Sequence, residues 1–125
     1  MILVFDTSIL IELNRGNKEI IRKISELKKI YPANVKISFI SYFEFLYGLR
    51  NKSEKNKYKP IEFIEKFEII QTSKDTANIL INLKQNYELP LADLLIAAHV
   101  QEVRGILVTR DRDFEKIEEM KSILL

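Results

Sequence analysis

The chain has 125 residues, 46% of them hydrophobic and 30% charged, enough for one ordinary domain around one core and too few for a second. It holds no cysteine, which excludes disulfides, thiolate metal sites and thiol nucleophiles. A net charge of +2 is too mild to indicate nucleic-acid binding by itself, although it allows a basic rim beside an acidic centre.

Residues 2–6 read as a first buried strand. Asp6 and Glu12 interrupt the apolar start and no basic segment precedes it, which is wrong for a signal peptide. No run approaches the roughly 18 apolar residues of a membrane span, so a soluble, cytoplasmic protein is expected. Asp6, Thr7 and Ser8 supply N-cap candidates for a short helix through Leu13 that ends at Gly16-Asn17. From Lys18 to Ile30 the apolar residues fall at helical spacing, and Tyr31-Pro32 stops that helix.

Residues 35–39 read as a second strand, followed by Ser41 as the N-cap of a helix through Leu49. Glu44 then closes a Ser-x-x-Glu capping box. Residues 50–59 carry five basic residues against one acidic residue, the only charge run in the chain. Its default reading is a solvated loop; its functional reading is contact with a phosphate backbone, with Lys52, Lys55 and Lys57 as candidates.

Pro60 is expected to start a helix over 61–67, then come a strand at 68–72 and a helix at 73–86. Residues 91–104 form the next helix, nearly all apolar through Val100 and therefore buried, with Asp93 in its first turn, where the helix dipole favours an acid. The only histidine, His99, lies in this run and reads as a hydrogen-bonded helix residue rather than a triad member. Gly105 breaks the helix before a buried strand at 106–108, residues 109–114 form a loop, and the tail adds a short helix and an edge strand. Strand-length apolar blocks alternating with helical periods describe an α/β domain on a mainly parallel sheet, with residues 1–125 as one domain.

Asp6, Glu44, Asp93 and Asp111 each sit where an apolar run ends or a helix begins. In an open parallel sheet the C-terminal strand ends share one edge, so distant carboxylates converge there on one crevice. Such a cluster needs a cation to neutralise it, and hard oxygen ligands select Mg²⁺ or Mn²⁺.

Four blocks carry a family resemblance: Val4-Phe5-Asp6-Thr7-Ser8-Ile9-Leu10, Ser41-Tyr42-Phe43-Glu44-Phe45-Leu46-Tyr47-Gly48, Leu91-Ala92-Asp93-Leu94-Leu95-Ile96-Ala97-Ala98 and Leu107-Val108-Thr109-Arg110-Asp111-Arg112-Asp113-Phe114. In this order the chain resembles, over nearly its full length, the PIN domain family, and within it the small VapC-type toxins of toxin-antitoxin pairs. Phe45 stands where many relatives carry leucine, and Pro90-Leu91-Ala92 replaces the usual glycine or capping residue. Neither departure removes a carboxylate.

The resemblance implies a three-layer α/β/α fold with about five strands and a metal-dependent endoribonuclease. Asp6 and Asp93 become the principal Mg²⁺ or Mn²⁺ ligands, with Glu44 and Asp111 completing the cluster or orienting the attacking water. Asp113 is an additional metal-ligand candidate. Thr7, Ser8 and Thr109 would hydrogen-bond ligands or substrate phosphate. Arg110 and Arg112 are RNA-contact candidates whose ordinary role is a surface ion pair. Similar proteins cut transfer or ribosomal RNA, form homodimers and are held inactive by a VapB-like antitoxin; residues around Phe43, Phe45, Leu46 and Tyr47 are candidates for that contact.

Other readings fit less well. A haloacid-dehalogenase phosphatase needs a second aspartate where this chain has Ser8, and the acid and lysine set of a receiver domain is missing. A non-catalytic PIN-like RNA-binding or partner-binding module would be expected to have lost a carboxylate. A PIN nuclease in RNA processing, without an antitoxin, is the remaining alternative.

Overall fold

The computed structural model describes residues 1–125. Five strands, β1 (Leu3–Phe5), β2 (Lys36–Ser38), β3 (Glu68–Ile70), β4 (Ile106–Thr109) and β5 (Lys121–Leu124), are joined through six helices. The helices are α1 (Thr7–Asn14), α2 (Lys18–Ile30), α3 (Phe39–Tyr47), α4 (Glu54–Ile64), α5 (Lys74–Asn86) and α6 (Leu91–Glu102), and a 3-10 turn spans Arg112–Lys116. None is long and apolar enough to cross a membrane.

The strands lie in the order β3-β2-β1-β4-β5 and every pairing is parallel. From β1 the chain steps outward to β2 and β3, then returns across the sheet to lay β4 and β5 on the other side of β1. The reversal falls between β1 and β4, where the connecting segments diverge and open a crevice at the C-terminal strand ends. Phe5 stands opposite Val108, and the Asp6 N–H donates to the Val108 carbonyl at 3.2 Å.

Side chains of successive strand residues point to opposite faces, and both faces are covered. Leu3 and Phe5 pack with Ile37, Val108, Ile24 of α2 and Ile64 of α4. Val4 and Leu107 face the other layer, with Leu83 of α5 and Leu94 and Ala97 of α6. This double burial makes the three-layer α/β/α sandwich and explains why β1 and β4 are apolar without alternation. Helix α3 contacts α1, α4 and α6 and so reaches the crevice edge.

Two expectations about local structure are corrected. Helix α3 starts at Phe39, capped by Ser38, whose hydroxyl accepts from the Ile40 N–H at 3.1 Å. Ser41 is thus a buried residue inside the helix, and the 41–44 capping box does not exist. The basic run is also not a loop up to Pro60: α4 begins at Glu54, capped by Ser53, and carries Pro60 within it. Pro60 removes the N–H that would bond the Asn56 carbonyl and its ring crowds that carbonyl, a local cost borne on an exposed stretch of the helix.

His99 ties three elements together behind the site. Its ring is fully buried, with Nδ1 2.7 Å from the Ser38 hydroxyl at the end of β2 and Nε2 2.9 Å from the Thr72 hydroxyl beyond β3. A neutral ring has one donor and one acceptor, so one hydroxyl donates and the other accepts. Burial holds its pKa below the ordinary 6.5.

The unfolded chain therefore takes up this proton more readily, and the stability that His99 contributes is present above about 6.5 and falls as pH drops below it. His99→Ala should cost ~2–4 kcal/mol through the cavity and the orphaned hydroxyls. His99→Gln, which cannot titrate, should lose this acid-side slope. Urea midpoints across acid to neutral pH, compared with wild type, measure both.

Candidate active site

Asp6 leaves β1 as the N-cap of α1. Its Oδ1 accepts from the Ile9 N–H at 3.2 Å and the Ser8 hydroxyl at 2.6 Å, and its Oδ2 accepts from the Thr109 hydroxyl at the end of β4. Thr109 Oγ1 also accepts from the Asp111 N–H at 3.0 Å, and Ser8 Oγ from the Arg110 N–H at 3.2 Å. One hydrogen-bonded cluster thus aligns the ends of β1 and β4. Burial pushes the Asp6 carboxyl upward in pKa, opposed by the Ser8 and Thr109 hydroxyls and the backbone donors.

Glu44 comes from α3, where Thr7 donates to its Oε1 at 2.6 Å. With the capping box gone, that contact across the crevice is its only hydrogen bond to another side chain. Asp93 lies in the first turn of α6, whose Pro90 cap makes no side-chain hydrogen bond. Asp111 caps the 3-10 turn, accepting from the Asp113 N–H at 2.9 Å.

Asp6, Glu44, Asp93 and Asp111 line one crevice of about 180 Å³ together with Thr7 and Ser8. No lysine, arginine or histidine lines it. Asp93 registers the consequence: burial, then the charges of Asp111, Glu44, Asp113 and Asp6, push its pKa up to about 6. A helix dipole alone would have moved it the other way. Asp113 does not line the crevice; it is exposed and paired with Lys116 at 3.1 Å.

As the side chains stand, no three carboxylates close on one point tightly enough to hold an ion. The donor set nevertheless fits a hard divalent cation. It is all oxygen and it lacks a compensating base.

The remaining candidates divide. Arg110 reaches Glu12 at 3.5 Å, the ion pair expected of it in its ordinary role, and Arg112 is exposed with no ion pair. Lys52 lines a groove that shares Glu44 with the crevice, whereas Lys57 lies on α4 beside Glu54, outside both, as does Lys55. His99 takes no part in the crevice. The aromatic stretch splits too: Phe43 and Tyr47 are half exposed and stacked on each other, while Phe45 is core. Arg15 carries no sequence signal of a role. It lines both grooves that leave the crevice, and only the packing of α1 against α3 reveals this.

A family model for the PIN domain matches residues 3–120. The chain belongs to the PIN domain family. This PIN chain is 34% identical over 97 residues to Ribonuclease VapC3 of Methanocaldococcus jannaschii, spanning 76% of its own length and 94% of the relative's. Its fold is similar to a chain of VapBC2 from Rickettsia felis bound to a promoter DNA fragment, with a TM-score of 0.84 and 25% identity over 100% and 99% of the two chains. It is also similar to a chain of a toxin-antitoxin complex from Klebsiella pneumoniae, with a TM-score of 0.75 and 30% identity over 97% and 95%.

The raised Asp93 pKa gives this PIN chain a signature independent of catalysis. The folded state holds the proton more tightly than the unfolded one, so charged Asp93 destabilises the metal-free fold above about pH 6, and the penalty fades on acidification. Asp93→Asn should therefore be more stable at alkaline pH, by on the order of 1 kcal/mol once solvent screening is allowed for, and lose that advantage in acid. Mg²⁺ or Mn²⁺ should raise the melting temperature of wild type and leave Asp93→Asn nearly unmoved. Thermal melts with and without metal measure both effects.

Proposed function

We propose that this protein is a Mg²⁺- or Mn²⁺-dependent endoribonuclease, the toxin of a toxin-antitoxin pair. The observation that carries the reading is the convergence of Asp6, Glu44, Asp93 and Asp111 on one uncompensated acidic crevice at the switch point of a PIN fold. The likeness to a VapC ribonuclease and to chains of toxin-antitoxin complexes supports the substrate class and the partner.

A divalent ion held there would supply Lewis-acid stabilisation of the phosphodiester and acidify the attacking water. Asp6 is the fixed ligand, its carboxylate oriented by Ser8, Ile9 and Thr109. Asp93 would be the second principal ligand, its charge offset there by the cation rather than opposed by its neighbours. Glu44, steadied by Thr7, and Asp111, steadied by the Asp113 N–H, complete the set or orient the attacking water. Asp111 is favoured over Asp113 because it lines the crevice and Asp113 does not. Arg110 and Arg112 stand on the loop beside Asp111 as phosphate contacts.

The partner is a VapB-like antitoxin, and a second copy of this chain completes the assembly. An exposed apolar row on α3, Phe39, Phe43 and Tyr47, supports a protein contact next to Glu44. Retention of all four carboxylates argues against a binding-only module.

Asp6→Asn and Asp93→Asn should each abolish cleavage of labelled RNA in Mg²⁺ or Mn²⁺, as should EDTA on wild type. Thr109→Val should cost roughly ten- to a hundredfold by freeing Asp6 Oδ2. His99→Ala, kept folded at moderate temperature, should retain cleavage. Total RNA resolved on a denaturing gel reads these outcomes, and cleavage that survives Asp6→Asn and EDTA would sink the mechanism.

A further inference from the structure

Two grooves continue outward from the acidic crevice along α1. One, of about 410 Å³, joins it through Ser8 and runs past Glu12 and Arg110 to Arg15. The other, of about 220 Å³, joins it through Glu44 and runs past Asn14 and Lys52, again to Arg15. Ile11 and Arg15 border both, so the grooves form one forked trough with Arg15 at its far end.

The charge along this trough reverses with distance. The crevice is lined by carboxylates and no base. Farther out stand Arg110, Arg15 and Lys52 against a single acid, Glu12. That acid is already saturated: Asn17 donates to its Oε2 at 2.8 Å, while Arg15 and Arg110 both approach its Oε1, at 3.3 and 3.5 Å. One carboxylate between two guanidinium groups leaves surplus positive charge facing solvent, and the Arg15 side chain is 71% exposed. At 1.5 Å per helical residue, Arg15 lies roughly 13 Å from Asp6, the reach of a short stretch of nucleic-acid backbone.

We propose that single-stranded RNA leaves the crevice along α1, with Arg15 as the positioning residue that grips a phosphate flanking the scissile one, assisted by Lys52. The proposal rests on the nuclease reading of the crevice and adds a direction for the strand. Asn14 and the part-exposed Ile11 lie along this path, and phosphate contacts there set register without reading sequence. Glu12 acts as a brake, holding the two arginines in place and lowering their attraction for the backbone.

The test is binding of a fluorescent single-stranded 12-mer RNA to Asp6→Asn protein in Mg²⁺ as salt is varied. Arg15→Gln should weaken binding about fivefold and make the salt dependence shallower by about 0.7 in log-log slope, the share of one phosphate contact. Lys74→Gln, with the same charge change on α5, should do neither. Glu12→Gln should tighten binding, and more than Glu26→Gln does on α2. A merely structural Arg15–Glu12 pair would instead shift the melting temperature alike in both variants and leave RNA affinity alone. The proposal is overturned if Arg15→Gln matches Lys74→Gln, or if Arg15→Gln and Glu12→Gln move affinity in the same direction. Loss of the nuclease reading would appear separately, as absence of cleavage by wild type, with this binding comparison still readable.

Discussion

The Asp6 carboxylate is the point on which the rest of the site depends. It is buried, and its burial is partly offset by donors from two parts of the chain: the Ser8 hydroxyl and Ile9 amide of α1, and the Thr109 hydroxyl of β4. One side chain thereby caps a helix, fastens two parallel strands at their C-terminal ends and presents an oriented carboxylate to the crevice. Thr109 extends the same order to Asp111 through that residue's amide. Moving any of these pieces moves the acid.

Charge is distributed in two opposed zones. The crevice concentrates like charges without relief, which costs folding free energy and shows itself in Asp93. The outer trough does the reverse, with arginines sharing one acid. On the proposed nuclease reading, such a gradient would suit a polyanion whose reacting phosphate meets a divalent ion in the crevice while its neighbours are held by fixed bases.

Much of this was legible in the chain before any coordinates. The strands β1 and β4 announce themselves as short apolar blocks and β2 lies in a stretch rich in β-branched and aromatic residues, and α2 runs over the residues its periodicity marks, because both layers are built on burial. Asp6, Glu44, Asp93 and Asp111 group together because strand order carries chain ends to one edge. The sequence leaves the start of α3 ambiguous, since Ser38 and Ser41 are both competent caps and only the position where β2 loses its partner decides between them. The start of α4 was hidden because a charge run with a later proline looks like a loop, whereas Ser53 nucleates the helix. Arg15 carried no local signal at all. Its significance comes from the tertiary packing that brings α1, α3 and the loop after β4 to one side.

The bond between Thr109 and Asp6 joins residues 103 positions apart. A ribosome adding roughly 5–20 residues per second delivers the second of them some 5–20 s after the first. Through that interval the nascent chain holds Asp6 and Glu44 without the strand that orients one of them and without Asp111. Contacts of such long range carry a loop-closure cost that must be met before they can form. Competence therefore arrives at the end of synthesis, and an incomplete chain that stops short of β4 is a polypeptide with carboxylates but no centre to gather them.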